Sequence, residues 1–242
     1  MVIDFSLDVS IALILIICTL SQCIFGVGLL LWGTPTLLLL GFSYSEALLL
    51  LLPISMLISI IQFAPHLNVL EHRAVSHFMV FALPFMILSF FIILEFVIDA
   101  TLFVGCALIM AGFLRTKFLQ TFNSIIYSSK NFLLPIIGIV HGVSNLGGSI
   151  LVVWASYTST TKLAQRTIVA VAYTALTIFQ MVVLALNNNT IQIPVVYIAV
   201  CLITYALVSR YLFSKINEPM FYNMLTALIF AMALMLIFKT AQ

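Results

Sequence analysis

The sequence predicts an all-α polytopic membrane helical bundle of two inverted repeats, each a re-entrant or broken helical hairpin followed by three spanning helices. Three observations carry this: too little charge for a solvated surface, ten apolar runs of unequal length, and basic residues confined to particular breaks between the runs.

Of 242 residues, 64% are hydrophobic and 7% charged, whereas a soluble domain carries about a quarter charged residues. Nine Lys and Arg stand against seven acids. They are scattered singly, without the basic stripe of a nucleic-acid-binding protein, so nucleic acid is excluded as a partner and membrane lipid is expected instead. Cys18, Cys23, Cys106 and Cys201 fall in apolar runs and form no Cys-x-x-Cys pair, which argues against a disulfide framework or a zinc site. The run from Val9 to Leu20 follows Asp4 and Asp8 where a secretory signal would carry basic residues, so it reads as a permanent helix. No linker or low-complexity tract divides the chain, which is expected to form one integral membrane unit.

The apolar runs occupy residues 7–24, 29–41, 46–63, 77–97, 100–114, 131–141, 148–157, 164–186, 192–213 and 219–238. A spanning helix needs about 20 residues. The runs 29–41, 131–141 and 148–157 rise only about 15–20 Å, which suggests re-entrant hairpins. Short cytoplasmic loops collect Lys and Arg. Arg73, then Arg115, Lys117 and Lys130, then Lys162 and Arg166, then Arg210 and Lys215 therefore mark four cytoplasmic breaks. The breaks holding Glu95 and Asp99, and Asn187 to Asn189, lack bases and face outward, as do the acidic N-terminus and Glu46. Residues 131–157 then enter from the cytoplasm and return, and residues 7–41 do the same from outside. One hairpin plus three spans crosses an odd number of times, which inverts the second copy. The expected division is residues 1–120 and 121–242, with both termini outside.

Internal matches support the duplication. At an offset of 119, Gln22, Gly26 and Gly28 meet His141, Asn145 and Gly147; at 118, Ser55, Ser59 and Gln62 meet Tyr173, Thr177 and Gln180. The second set places three hydrogen-bonding side chains on one helix face in each half.

The helix-breaking segments, Ser21 to Gly28 and His141 to Ser149, interrupt otherwise apolar sequence. Irregular backbone at membrane depth is tolerated only where protein or a water-filled cavity surrounds it. Half-helices starting near Gly28 and Gly148 would aim their first N–H groups at the membrane centre from opposite sides, and such ends attract anions. No Arg or Lys is expected inside a span, so backbone N–H groups, amides and hydroxyls would supply the coordination. The candidate substrate-binding residues are Gln22, Gly26, Gly28, Ser55, Ser59, Gln62, His141, Asn145, Gly147, Gly148, Ser149, Tyr173, Thr177 and Gln180. Glycines in membrane helices also serve close packing, and Ser or Thr in a span also bonds its own helix carbonyl.

His141 is the strongly titratable group expected deep in the bundle, where such groups are usually functional; it is the candidate for proton coupling as well as for substrate binding. His66, Glu71, His72 and His77 cluster around a cytoplasmic break, but their spacing is poor for a metal. Ser43 and Glu46 match a capping box. No nucleotide motif is present. Neither cofactor nor metal is therefore expected, and an ion or substrate gradient is the expected driving force.

Gly26-Val27-Gly28-Leu29-Leu30-Leu31-Trp32-Gly33-Thr34-Pro35, with Leu40-Gly41 after it, resembles the first repeat of the sulfite exporter TauE/SafE family. Gly138-Ile139-Val140-His141-Gly142, with Gly147-Gly148 following, resembles the second. The resemblance covers nearly the whole chain. It implies a non-enzymatic transporter that exports or takes up sulfite, organosulfonates or related small anions across a bacterial inner membrane. The partner implied is a small anionic substrate, and a homodimer is one assembly open to it. Two alternatives from other classes are a membrane-embedded enzyme built on His141, for which no core acid is available, and a non-transporting subunit of a larger complex.

Overall fold

A computed structural model describes residues 8–95, 130–159, 161–187 and 195–215, with isolated helical positions at 104–106, 109, 230, 234 and 238. The runs expected at 100–114 and 219–238 lie mostly outside the described residues. So do the division between 120 and 121, and Asp4, Asp99, Arg115 and Lys117.

The described elements are helical: α1 (Val9–Phe25), α2 (Gly28–Leu39), α3 (Tyr44–Phe63) continued by a 3-10 segment (Ala64–Val69), α4 (His72–Phe81) and α5 (Leu83–Glu95). After the 3-10 turn Lys130–Phe132 come α6 (Leu133–Ser144), α7 (Gly148–Thr158), α8 (Lys162–Leu186) and α9 (Val195–Lys215). The Asp8 carboxylate starts α1 by accepting from the N–H groups of Ser10 and Ile11, which satisfies two of the donors a helix start leaves over. Ser43 and Glu46 form the expected capping box at the start of α3. The run expected as one helix over 77–97 begins earlier and is divided at Ala82. Pro84 lies just beyond, where a helix would need an N–H that proline lacks.

Four described stretches are long and apolar enough to cross a membrane: Tyr44–Val69, His72–Glu95, Lys162–Leu186 and Val195–Leu212. Both hairpins are built of short helices. α1, the leading helix of the first hairpin, has 17 residues, a rise of about 26 Å, close to the length of its apolar run.

Helices α3 and α8 pack on each other at the centre. Around them the pairing is reciprocal: α1 packs on α9, and α6 packs on α5. Each second hairpin helix, α2 or α7, packs on its own leading helix and on the span that follows it. α2 is enclosed on every side, with Gly28 through Pro35, Leu37 and Leu38 all buried, as expected of a helix apolar all round. The outer surface is apolar too. Val9, Leu13 and Ile17 form an exposed stripe on α1, and Ile203, Leu207 and Tyr211 one on α9. Stripes at four-residue spacing suit contact with lipid chains, since a soluble protein seldom exposes so much contiguous apolar surface.

Candidate functional site at two helix breaks

At the first break α1 ends on Gly26, whose φ of 77° is left-handed and whose N–H donates to the Gln22 carbonyl. A side chain is disfavoured in that conformation, which is why the chain turns here on a glycine. The Gln22 amide then closes the end of the next helix. Its Oε1 accepts from the Leu29 N–H at 2.9 Å and its Nε2 donates to Ser59 Oγ at 3.3 Å. One of the orphan donors at the start of α2 is thereby met by a side chain from the preceding half-helix. Gln62, one turn beyond Ser59 on α3, is buried, and neither end of its amide has a hydrogen-bond partner. Its Nε2 lies 3.1 Å from where a Cβ on Gly26 would stand. Ser55, on the same face, is buried with its hydroxyl unpartnered.

At the second break α6 ends on Asn145, which adopts the same left-handed conformation at φ 63° and donates its N–H to the His141 carbonyl. Asparagine tolerates this region better than most side chains. No side chain caps the start of α7. At the position matching Gln22 stands His141, fully buried with both ring nitrogens unpartnered. Its ring meets that of Tyr173 edge to face, 5.5 Å between centroids. Gln180 faces the same imidazole without a completed hydrogen bond, and both ends of its amide and the Tyr173 hydroxyl are unpartnered. Buried polar groups are rarely left so, because each costs about 1–3 kcal/mol unless something meets it.

The structure gathers the expected residues into two groups. Gln22, Gly26, Ser59 and Gln62 meet at the first break, and His141, Gly148, Tyr173 and Gln180 at the second. Gly148 is needed for close approach, since a Cβ there would overlap the Tyr173 hydroxyl. Gly28 and Gly147 pack against the backbone of the preceding half-helices, at Gln22 and at Ile137. Thr177 donates to the carbonyls of Tyr173 and Thr174, and Ser149 to that of Leu146, so both hydroxyls are turned to their own helices. Asn145 Nδ2 donates across the halves to Thr34 Oγ1 at 3.0 Å, leaving its Oδ1 unpartnered.

Two polar residues of this region were not among the expected substrate-binding residues. Thr34 lies inside an apolar run and shows its partner only in three dimensions. Arg166, like Arg210 in the span Val195–Leu212, corrects the expectation that no base lies within a span. It sits in the second turn of α8, half-buried, donating from Nη2 to the Tyr205 hydroxyl at 3.0 Å. The signal was legible, because Arg166 falls inside the run 164–186, where an ionisable residue marks a functional position. Around His66, Glu71, His72 and His77 no metal-holding group forms among the described residues.

A profile of the family described as sulfite exporter TauE/SafE matches residues 11–236. The chain belongs to the TauE/SafE family. The match covers both hairpins and the spans behind them, so this TauE/SafE protein is a multi-pass membrane transporter. No curated protein matches the chain, and no solved structure matches it.

Proposed function

We propose that this TauE/SafE protein is a secondary transporter that carries a small sulfur-containing anion, sulfite or an organosulfonate, across a bacterial inner membrane by alternating access. The substrate is held at the two helix breaks. The observation that carries this reading is the matched construction of the breaks, where left-handed caps at Gly26 and Asn145 each precede a half-helix beginning at Gly28 or Gly148. Half-helix N-termini carry partial positive charge and N–H donors, which suit an anion near the bilayer midplane.

The reciprocal packing of α1 on α9 and α6 on α5 supports two like halves, residues 1–120 and 121–242, related by an axis between α3 and α8. Alternating access then amounts to rocking of one half against the other. His141, Tyr173 and Gln180 supply unpartnered polar groups at the second break, where an oxyanion would complete their hydrogen bonds. His141 is also the candidate for carrying a proton with the substrate, because it places a buried imidazole with two unpartnered ring nitrogens at the second break. The topology has both termini outside.

The test is flux of labelled sulfite and taurine into proteoliposomes holding only this chain. Saturable flux that collapses in both Gln62→Leu and Gln180→Leu is the expected result. Normal flux in both variants would move the substrate site away from the breaks, and no flux in the wild type would remove the transporter reading.

A further inference from the structure

Beside the first break a cleft of about 660 Å³ opens between the end of α3, the first turns of α8 and the last turns of α9. Its polar lining is Gln62, His66, Arg166, Tyr205, Ser209 and Arg210. Two of these are arginines, and no acid is among the lining residues. Two of the lining residues reach the first break, since Gln62 Nε2 and Arg166 Cγ lie 3.1 and 3.8 Å from where a Cβ on Gly26 would stand. The Gln62 amide and the hydrocarbon stem of Arg166 therefore both stand against the point where α1 is broken.

We propose that this cleft is the cytoplasmic capture site for the transported anion, with Arg166 as its specificity-determining residue; the proposal rests on the transporter reading above. A guanidinium presents planar paired donors matched to an oxyanion. Arg166 is held in place by Tyr205, whose hydroxyl accepts from Nη2 and so keeps its own O–H to donate. Gln62 is only 4% exposed, with both ends of its amide unpartnered; its Nε2 supplies a further donor. Exposed Arg210 lines the same cleft and raises the local concentration of anions. Ile61, Leu163, Leu202 and Ala206 form apolar walls, so a short hydrocarbon tail on the anion is accommodated.

The site belongs to one face only. At the offset of 118 that matches Gln62 to Gln180, the counterpart of Arg166 is Leu48, which is fully buried in the core. A charge in one half without a counterpart in the other gives two inverted halves different mouths. The cleft is bordered by the ends of α3, α8 and α9 that carry the basic breaks, which places its mouth on the cytoplasmic side.

The experiment uses the full chain in nanodiscs, with isethionate and sulfate as probes, thermal stabilisation as the binding readout and proteoliposome flux as the functional one. Wild type should bind isethionate saturably, and Arg166→Gln should weaken binding and raise KM by about tenfold or more, the loss expected for a charge-assisted hydrogen bond. Arg166→Lys, which keeps the charge and loses the fork, should fall between them. Arg210→Gln should change KM about twofold, and only at low salt, as screening of an exposed charge requires. Should Arg166→Gln fail to fold, Ala206→Trp fills the cleft from an exposed position and should cut flux at least about tenfold. A folded Arg166→Gln or Ala206→Trp protein with wild-type Kd and KM would overturn the capture site and leave the transporter reading standing. Absence of wild-type flux for every sulfur anion would overturn both.

Discussion

Gln22 links the fold to the proposed function, so replacing it separates the two. Gln22→Leu keeps the bulk but removes the acceptor for the Leu29 N–H and the donor to Ser59. Leu29 is fully buried in the first turn of α2, where the helix itself offers its N–H no carbonyl. An orphaned buried donor costs about 1–3 kcal/mol. Ser59 can turn its hydroxyl to a carbonyl of its own helix, so its loss adds little. A destabilisation of about 2 kcal/mol corresponds to a fall in Tm of about 4–8 °C for a chain of this size. Gln22→Glu behaves differently. A carboxylate still accepts from Leu29, and from the Ser59 hydroxyl, at a helix N-terminus that favours negative charge. Stability should therefore be kept while anion binding falls. A unit charge within about 10 Å at an effective dielectric near 20 opposes a monoanion by about 1.7 kcal/mol, more than tenfold in affinity. Thermal unfolding followed by size-exclusion chromatography reads the first effect and isethionate flux the second. A Gln22→Leu protein as stable as wild type would refute the cap, and normal flux in a folded Gln22→Glu protein would place the anion elsewhere.

Three further outcomes are expected. His141→Gln should remove the pH dependence of transport that a proton carried on this imidazole would give; a retained wild-type pH profile would remove the proton role. Gly148→Ala should reduce stability by about 1–3 kcal/mol through overpacking against Tyr173, and Tyr173→Phe in the same chain should recover part of the loss, whereas identical melting of both Ala proteins would show that the hydroxyl is not the obstacle. A cysteine at position 162, introduced by Lys162→Cys at the start of α8, should react with a membrane-impermeant thiol reagent from the cytoplasmic side alone. Labelling from outside would refute the second hairpin and the inversion of the halves together.

The membrane character, the two hairpins and the break positions were legible in the sequence because each is a local property. Apolar length decides whether a helix can span, and the left-handed caps at Gly26 and Asn145 fall on residues that tolerate such backbone. The Ser43 and Glu46 box is local in the same way. The kink at Ala82 was missed although Pro84 announced it, because the apolar run continues unbroken across it.

Tertiary structure alone decided which polar groups are engaged and which are left waiting. Gln22 and His141 look equivalent in an offset alignment, yet Gln22 is committed to Leu29 and Ser59 while the nitrogens of His141 have no partner. Their difference depends on what the neighbouring helix presents: Ser59 on α3 meets Gln22, whereas at the matching place Thr177 has turned to its own backbone. The bond from Asn145 to Thr34, and the cleft that joins Arg166, Tyr205 and Gln62, likewise connect residues far apart in the chain. Periodicity along one chain records which face of a helix is polar. It carries no record of what stands opposite, because that is fixed by how α1, α3, α8 and α9 pack.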